Sequence, residues 1–159
     1  MIKYIGKLAI FSAVMTSGVL SSNQALGYQG ALDRHQGYLT QNGNEVTVLL
    51  PVESLYQQQT TYMADGAIAV AEILESLIRQ SSGRVYLKGL LNEAQPDIVF
   101  ATSALYAQVS HLSEYLLKSV SGISYSPVTV SEYQKNANYR IWEKFPEAET
   151  FVSLSLVID

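Results

Sequence analysis

Two histidines, His35 and His111, are the side chains best suited to acid–base chemistry or metal binding near neutral pH. They stand far apart in the chain, and neither has a second histidine at metal-ligand spacing. The chain has no cysteine and no Gly-x-Ser-x-Gly turn, so a thiol nucleophile, a cysteine zinc site and a nucleophile elbow are excluded. We predict a non-enzymatic protein with no catalytic residue, no metal site and no cofactor, and with both histidines at the surface.

Glu72 and Glu75 are a carboxylate pair whose spacing of three residues puts them on one side of a predicted helix. Such a pair can serve as acid and base, but both residues lie off the apolar stripe of the helix. A pair of this kind is typical of a solvated helix face, which is our prediction here.

The composition is that of an ordinary globular domain, with 48% hydrophobic and 15% charged residues in a chain of 159. The net charge is −4, and because Lys3 and Lys7 belong to the predicted N-terminal signal, the remainder carries −6 (−4 minus 2). This charge argues against nucleic acid or an anionic membrane surface as the main partner. Without cysteine the chain has no disulfide and no lipidated N-terminal cysteine, so we predict that it is not a lipoprotein.

The first 27 residues have the layout of a secretory signal peptide. Lys3 and Lys7 form a basic start, residues 8–20 form an uncharged apolar run, and small residues precede a cleavage position after Gly27. Cleavage after Ala25 is the alternative. A retained inner-membrane anchor is less consistent with the sequence, because the run is shorter than the roughly 20 residues that span a membrane. We predict a periplasmic protein with no membrane span after cleavage.

Hydrophobic periodicity predicts an α+β fold. Residues 28–45 are rich in Gly, Gln and Asn and lack an apolar period, so we predict a flexible N-terminal arm there and a folded domain over 46–159. In chain order we predict a strand at 46–50, a helix within 60–80, a strand at 84–89, a loop at 90–97, a helix to about 118, and strands at 128–133 and 151–158. This β-α-β-α-β-β order predicts two helices packed on one face of a mixed sheet.

Eleven tyrosines are many for this length, and all of them except Tyr4 are scattered through the predicted arm, loops and element ends. Tyrosine is enriched at protein interfaces because it buries a large area and keeps a polar group. Together with Trp142 they favour a protein partner over a small ligand.

Several local features accompany this order of elements. They are a strand ending in Leu50-Pro51 followed at once by Val52–Tyr56, a long helix leading through Ser82-Gly83 into a strand that ends at Gly89, and a second helix ending near Tyr115-Leu116 before Gly122-Ile123. In these features the chain resembles the OmpA C-terminal family of periplasmic peptidoglycan-binding domains, over residues 46–158. The resemblance implies an OmpA-like sandwich.

The same resemblance implies where a ligand site would lie. In the family, an Asp just after the strand-ending Gly and an Arg early in the second helix grip the ammonium and carboxylate groups of diaminopimelate. Alignment on Gly89 puts Asn92 at the Asp position, and Tyr106–Gln108, where the Arg is expected, contains none. Glu149-Thr150 stand where the family has paired Arg residues. Each lost charged contact costs on the order of 1.5–3 kcal/mol of binding.

The candidate ligand-binding residues are therefore Asn92, Glu93 and Asp97, which share the predicted loop after the second strand. Glu93 or Asp97 could replace the absent Asp, and Arg140 and Lys144 from a later loop could replace the absent Arg. We expect a structural or accessory subunit of a cell-envelope assembly, such as a Dot/Icm-like type IV secretion apparatus, that uses an OmpA-like fold for protein docking in a multi-subunit complex. A peptidoglycan-binding module with altered ligand residues is the alternative.

Overall fold

Five strands form one mixed sheet in the order β1-β2-β5-β3-β4 in the computed structural model, which describes residues 20–133 and 150–158. The elements are α1 (Ser22–Asp33), β1 (Tyr38–Asn42), β2 (Glu45–Pro51), a 3-10 helix (Val52–Ser54), α2 (Ala67–Ile78), β3 (Tyr86–Asn92), α3 (Ile98–Ser119), β4 (Thr129–Tyr133) and β5 (Thr150–Val157). The predicted α+β class is confirmed.

The last strand occupies the centre of the sheet. β5 pairs antiparallel with β2 on one side, Leu154 lying opposite Val48, and antiparallel with β3 on the other, Leu154 lying opposite Leu87. β3 also pairs in parallel with β4, and α3 forms the crossover between these two strands. The sheet is therefore mixed, as the order of elements predicted.

The main core lies between one face of the sheet and the helices. Alternate residues of β5, namely Val152, Leu154 and Leu156, point to this face and are about 1% exposed. All three helices contribute fully or almost fully buried residues to the same cluster, among them Leu32, Leu74 and Leu112. The opposite face holds a smaller cluster, formed by Leu49, Leu90, Tyr133 and Phe151.

The prediction of a flexible arm over residues 28–45 is wrong in its secondary structure, because this stretch contains the second half of α1 and the edge strand β1. The Gln29 side chain explains part of the difference. Its Nε2 donates to the Gly37 carbonyl at 3.1 Å, and its Oε1 accepts from the Leu39 amide at 2.8 Å. Leu32 is fully buried. Amide hydrogen bonds and one apolar anchor thus fix a segment that has no apolar period.

Two predicted boundaries also shift. α2 begins at Ala67, because Gly66 adopts a left-handed conformation (φ 83°) at its N-cap, and the residues before it form turns. β3 continues past Gly89 to Asn92, so Leu90, Leu91 and Asn92 are strand residues and not part of a loop.

Both predicted cleavage positions, after Ala25 and after Gly27, fall inside α1. That helix starts with a capping box, in which the Ser21 hydroxyl accepts from the Gln24 amide and the Gln24 side chain accepts from the Ser21 amide. Leu20, just before it, is 4% exposed. In the described ranges no helix combines the length and apolarity needed to cross a membrane. Several sequence-predicted features lie outside the described residues. They are the basic and apolar start of the predicted signal, Trp142, and the candidate cations Arg140 and Lys144.

Candidate ligand pocket at the start of α3

A cavity of about 190 Å³ lies between the segment after β2 and the first half of α3. Its wall is formed by Val52, Glu53, Tyr56, Gln58, Gln59, Gln95, Ala101, Ala104, Leu105, Gln108 and Thr150. Four glutamines supply most of its polar groups, and Glu53 is the one charged side chain that the described residues contribute. The described residues therefore give the pocket neutral hydrogen-bonding groups together with a single carboxylate.

Asn92 is the last residue of β3 and is 7% exposed. Its Oδ1 accepts a hydrogen bond from the Ala94 amide at 3.1 Å, and its carbonyl accepts from the Gln95 amide at 3.0 Å. The side chain thus closes the turn that leads toward α3, as asparagine often does. Asn92 does not line the cavity, although it stands next to the turn that does.

Glu93 and Asp97 are exposed and also lie outside the cavity wall. The Glu93 amide donates to the Tyr133 carbonyl at 2.9 Å, which ties the turn to the end of β4. Asp97 adopts a left-handed conformation (φ 52°) at the N-cap of α3, without a hydrogen bond from its side chain to the helix. The three predicted ligand residues therefore share one turn but do not converge on a ligand position.

Gln95, in the same turn, is the residue that reaches the cavity. Its Oε1 is buried and has no hydrogen-bond partner within the described part of the chain. A buried amide oxygen without a partner is costly, so it marks a point where a ligand or water donor would be favourable. Sequence reasoning overlooked Gln95, because a lone glutamine in a polar loop carries no motif.

Gln108 occupies the segment where the family resemblance places an Arg. It is 3% exposed, lies on the pocket side of α3, and donates from Nε2 to the Thr60 carbonyl at 2.8 Å. Tyr106, in the same segment, is 52% exposed and does not line the cavity. The position therefore carries a neutral side chain whose amide is already used to hold the loop after the 3-10 helix.

Both histidines, predicted at the surface, are half-buried, and His111 contacts a core residue. Its Nδ1 shares a 2.8 Å hydrogen bond with the hydroxyl of Tyr56, and the two rings pack edge to face with centroids 5.5 Å apart. Tyr56 is 1% exposed, and this burial raises the pKa of its hydroxyl well above the usual value. No group of three or more His, Cys, Asp or Glu side chains within the described residues could hold a metal ion.

A second, larger concavity of about 450 Å³ is an open groove between α1 and α2. Its wall includes Tyr28, Glu72, Ile73 and Ser76. The Tyr28 hydroxyl is hydrogen-bonded to Ser76 Oγ at 2.7 Å and accepts from Gln80 Nε2 at 2.5 Å. These bonds attach α1 to α2, so the hydroxyl groups of Tyr28 and Ser76 serve the fold.

No protein-family model and no curated protein matches this sequence. Solved structures do match. The structure of the cell wall anchor of the T6SS from Pseudomonas aeruginosa superposes with a TM-score of 0.66 at 8% identity, covering 85% of this chain and 97% of that one.

A putative MotB-like protein from Desulfovibrio vulgaris gives 0.61 at 13% identity, with 98% and 96% covered. The periplasmic domain of Helicobacter pylori MotB (residues 78–256) gives 0.51 at 13% identity, with 77% and 82% covered. The chain has the α+β fold of these OmpA-like domains, which confirms the fold that the family resemblance implied.

Proposed function

We propose that this chain is a non-enzymatic subunit of a cell-envelope assembly in the periplasm, and that it uses an OmpA-like fold to dock on protein partners. The observation that carries the proposal is the state of Asn92 and Gln108. Both stand where the family resemblance implies charged ligand contacts, both are neutral, and both make hydrogen bonds within the chain. Within the described residues the fold is thus kept, while the charged contacts with a zwitterionic ligand are missing at these two positions.

The energetic cost is large enough to matter. A bidentate Arg–carboxylate pair and an Asp–ammonium pair are charge-assisted contacts, each worth about 1.5–3 kcal/mol more than no contact. The loss of both weakens binding by roughly two to four orders of magnitude. One N–H of the Gln108 amide is already used by the bond to the Thr60 carbonyl, which leaves fewer groups for a ligand.

Exposed aromatic residues support a protein partner. Tyr62, Tyr86 and Tyr106 are 72%, 53% and 52% exposed, so part of the high tyrosine content lies on the surface. Tyr56 and Tyr133, by contrast, are core residues at 1% and 5%. The kind of assembly that we propose is a secretion apparatus, including the Dot/Icm-like type. The similarity of fold to the cell wall anchor of a T6SS supports this proposal.

Peptidoglycan binding is the second candidate function, and it is favoured by the cavity and by Gln95 Oε1, which has no hydrogen-bond partner among the described residues. Sedimentation of the full chain with insoluble peptidoglycan distinguishes the two, with an intact OmpA-type domain as positive control. We expect the chain to stay in the supernatant. Wall binding would be established instead if the chain sediments, Gln95→Ala abolishes the sedimentation, and Glu93→Ala, outside the cavity, does not.

Docking is tested by cross-linking in the envelope of the native cell. The Tyr62 and Tyr86 positions are exposed and lie outside the pocket, so a photo-reactive residue at either one reports contacts of the surface. We expect a discrete cross-linked protein partner at one or both. The unsubstituted chain, irradiated in the same way, is the control. Absence of any discrete product at all exposed positions contradicts the docking role.

We also propose that the N-terminal segment is an export signal. α1 crosses both cleavage positions predicted from the sequence, so a cut after Gly27 leaves a chain that starts inside the helix. Fractionation of cells, followed by intact-mass measurement of the periplasmic product, tests export and the position of the cut together. A product retained in the cytoplasm at full mass contradicts the proposal.

A further inference from the structure

The first turn of α1 is formed by residues that the sequence predicts to belong to the export signal. Ser21 is the N-cap, and its hydroxyl accepts from the Gln24 amide at 3.1 Å while its own amide donates to Gln24 Oε1 at 3.0 Å. The Ser21 carbonyl also accepts the first helical hydrogen bond, from the Ala25 amide at 2.9 Å. All three bonds require Ser21, which precedes both of the cleavage positions predicted from the sequence.

Leu20 belongs to the folded domain as well. It is 4% exposed and is part of the main core cluster, against which Ala25 also packs. The two residues stand just before the N-cap and at the fourth helical position, which are the positions of a hydrophobic staple. Residues of a signal peptide are discarded after export, so a helix cap and a buried leucine among them would serve no folded protein.

A cut after Ala25 or Gly27 would damage the start of α1. It would remove Leu20, Ser21 and Gln24, and with them the buried side chain and the capping box. After a cut at Gly27 the helix would keep only residues 28–33, which is less than two turns. The new N-terminal ammonium would also lie at the positive end of the helix dipole, where a cation is unfavourable.

A third position satisfies the same sequence rule without this cost. Thr16 and Gly18 are small residues at the −3 and −1 positions of a cut after Gly18. Residues 8–15 then form an uncharged run of eight residues, within the roughly 7–15 residues of a signal peptide's apolar region. The product would start at Val19, one residue before buried Leu20. The sequence alone does not separate this cut from a cut after Gly27, but the start of α1 does.

We propose that a signal peptidase of the exporting cell cuts this chain after Gly18, and that the exported protein keeps the whole of α1. Water cleaves the peptide bond between Gly18 and Val19, which leaves a carboxylate on Gly18 and an amine on Val19. This inference rests on the export role proposed above and specifies where the signal ends. The amine then lies two residues before the N-cap and outside the first helical turn.

The N-terminal residue of the exported chain tests the proposal directly. The full chain is expressed with its own N-terminal segment in a bacterium that has an outer membrane, and the periplasmic product is analysed by N-terminal sequencing and intact mass. We expect a single product that starts at Val19. A periplasmic product that starts at Leu26 or Tyr28 overturns this inference and leaves the export role standing. An uncut chain in the membrane fraction also overturns the inference, whereas an uncut chain in the cytoplasm overturns both.

Two matched glycine variants test the position independently of the wild-type product. Because the −1 residue of the cut must be small, Gly18→Gln should abolish the product that starts at Val19. Gly27→Gln should leave that product unchanged, and it suits the comparison because no atom lies within 4 Å of a Cβ at Gly27. An undiminished Val19 product from Gly18→Gln, or its loss in Gly27→Gln, overturns the proposal.

Discussion

Gly89→Ala is expected to destabilise the domain, because the backbone of β3 touches α3 at this position. A methyl group at Gly89 would lie 2.7 Å from Leu105 Cγ, 2.8 Å from Leu105 Cδ2 and 3.3 Å from Val130 Cγ2. Leu105 is 1% exposed and belongs to the main core, and it also lines the cavity beside α3. Alanine must therefore displace the Leu105 side chain from its packed position or push α3 away from the sheet.

The magnitude follows from two opposing effects. Overpacking a core costs about 1–3 kcal/mol. Replacing glycine lowers the entropy of the unfolded chain, which returns about 0.4–1 kcal/mol. We expect a net loss of about 1–2 kcal/mol in the free energy of unfolding, measured by urea denaturation, with a fall in Tm of about 2–4 °C per kcal/mol for a chain near this size.

Gly30→Ala in α1 is the matched control, because no atom lies within 4 Å of a methyl group at that position. The control should gain about 0.8–1 kcal/mol from helix propensity. In a Leu105→Ala background the cost of Gly89→Ala should disappear, since the new methyl group enters vacated space. Equal stability of Gly89→Ala and the wild type, or an unchanged cost in the Leu105→Ala background, refutes the contact as the cause.

Three further outcomes are expected. Burial holds the pKa of Tyr56 above its usual value, so the stability linked to its neutral form is complete below about pH 10 and is lost as the pH rises further. The free energy of unfolding should therefore fall above about pH 10, and Tyr56→Phe should reduce the slope of that fall. An unchanged slope in the variant contradicts this. A chain starting at Leu20 should have a free energy of unfolding about 1 kcal/mol or more higher than a chain starting at Tyr28, because the shorter chain lacks the capping box and buried Leu20. Urea unfolding curves with equal midpoints and slopes would show that the first half of α1 contributes nothing. Gln108→Leu should destabilise the domain by about 1–2 kcal/mol, because the Thr60 carbonyl loses its donor, and a neutral effect would show that water replaces the amide.

Apolar periodicity was sufficient to predict most of the sheet and two of the three helices within the described ranges. Leu74 in α2 and Leu112 in α3 belong to regular stripes and are fully buried. Periodicity failed where hydrogen bonds replace apolar contacts. α1 has one fully buried residue, Leu32, and is fixed by Gln29 and Tyr28, whose partners lie in later segments. A polar stretch of this kind looks unstructured until those partners are known.

The candidate site was harder to predict for a related reason. Asn92 was located by its distance from Gly89, and it does end a strand beside the cavity, but its side chain bonds to the turn. Gln95 and Gln108 line the cavity because of where the turn and α3 are placed by contacts such as Gly89 against Leu105. Glutamine carries no charge or nucleophile that would mark it in a sequence.

The contacts that hold α3 in place do not depend on the charged residues that the family resemblance implies, so the fold persists with neutral residues at positions 92 and 108. The close approach of Gly89 to Leu105 fixes the helix against the sheet through shape alone, so it does not depend on the residue at position 108. A neutral Gln108 satisfies the same helix by bonding to the Thr60 carbonyl, and it avoids burying an Arg without a partner. A chain with these two contacts keeps α3 in place whether or not a ligand binds beside it.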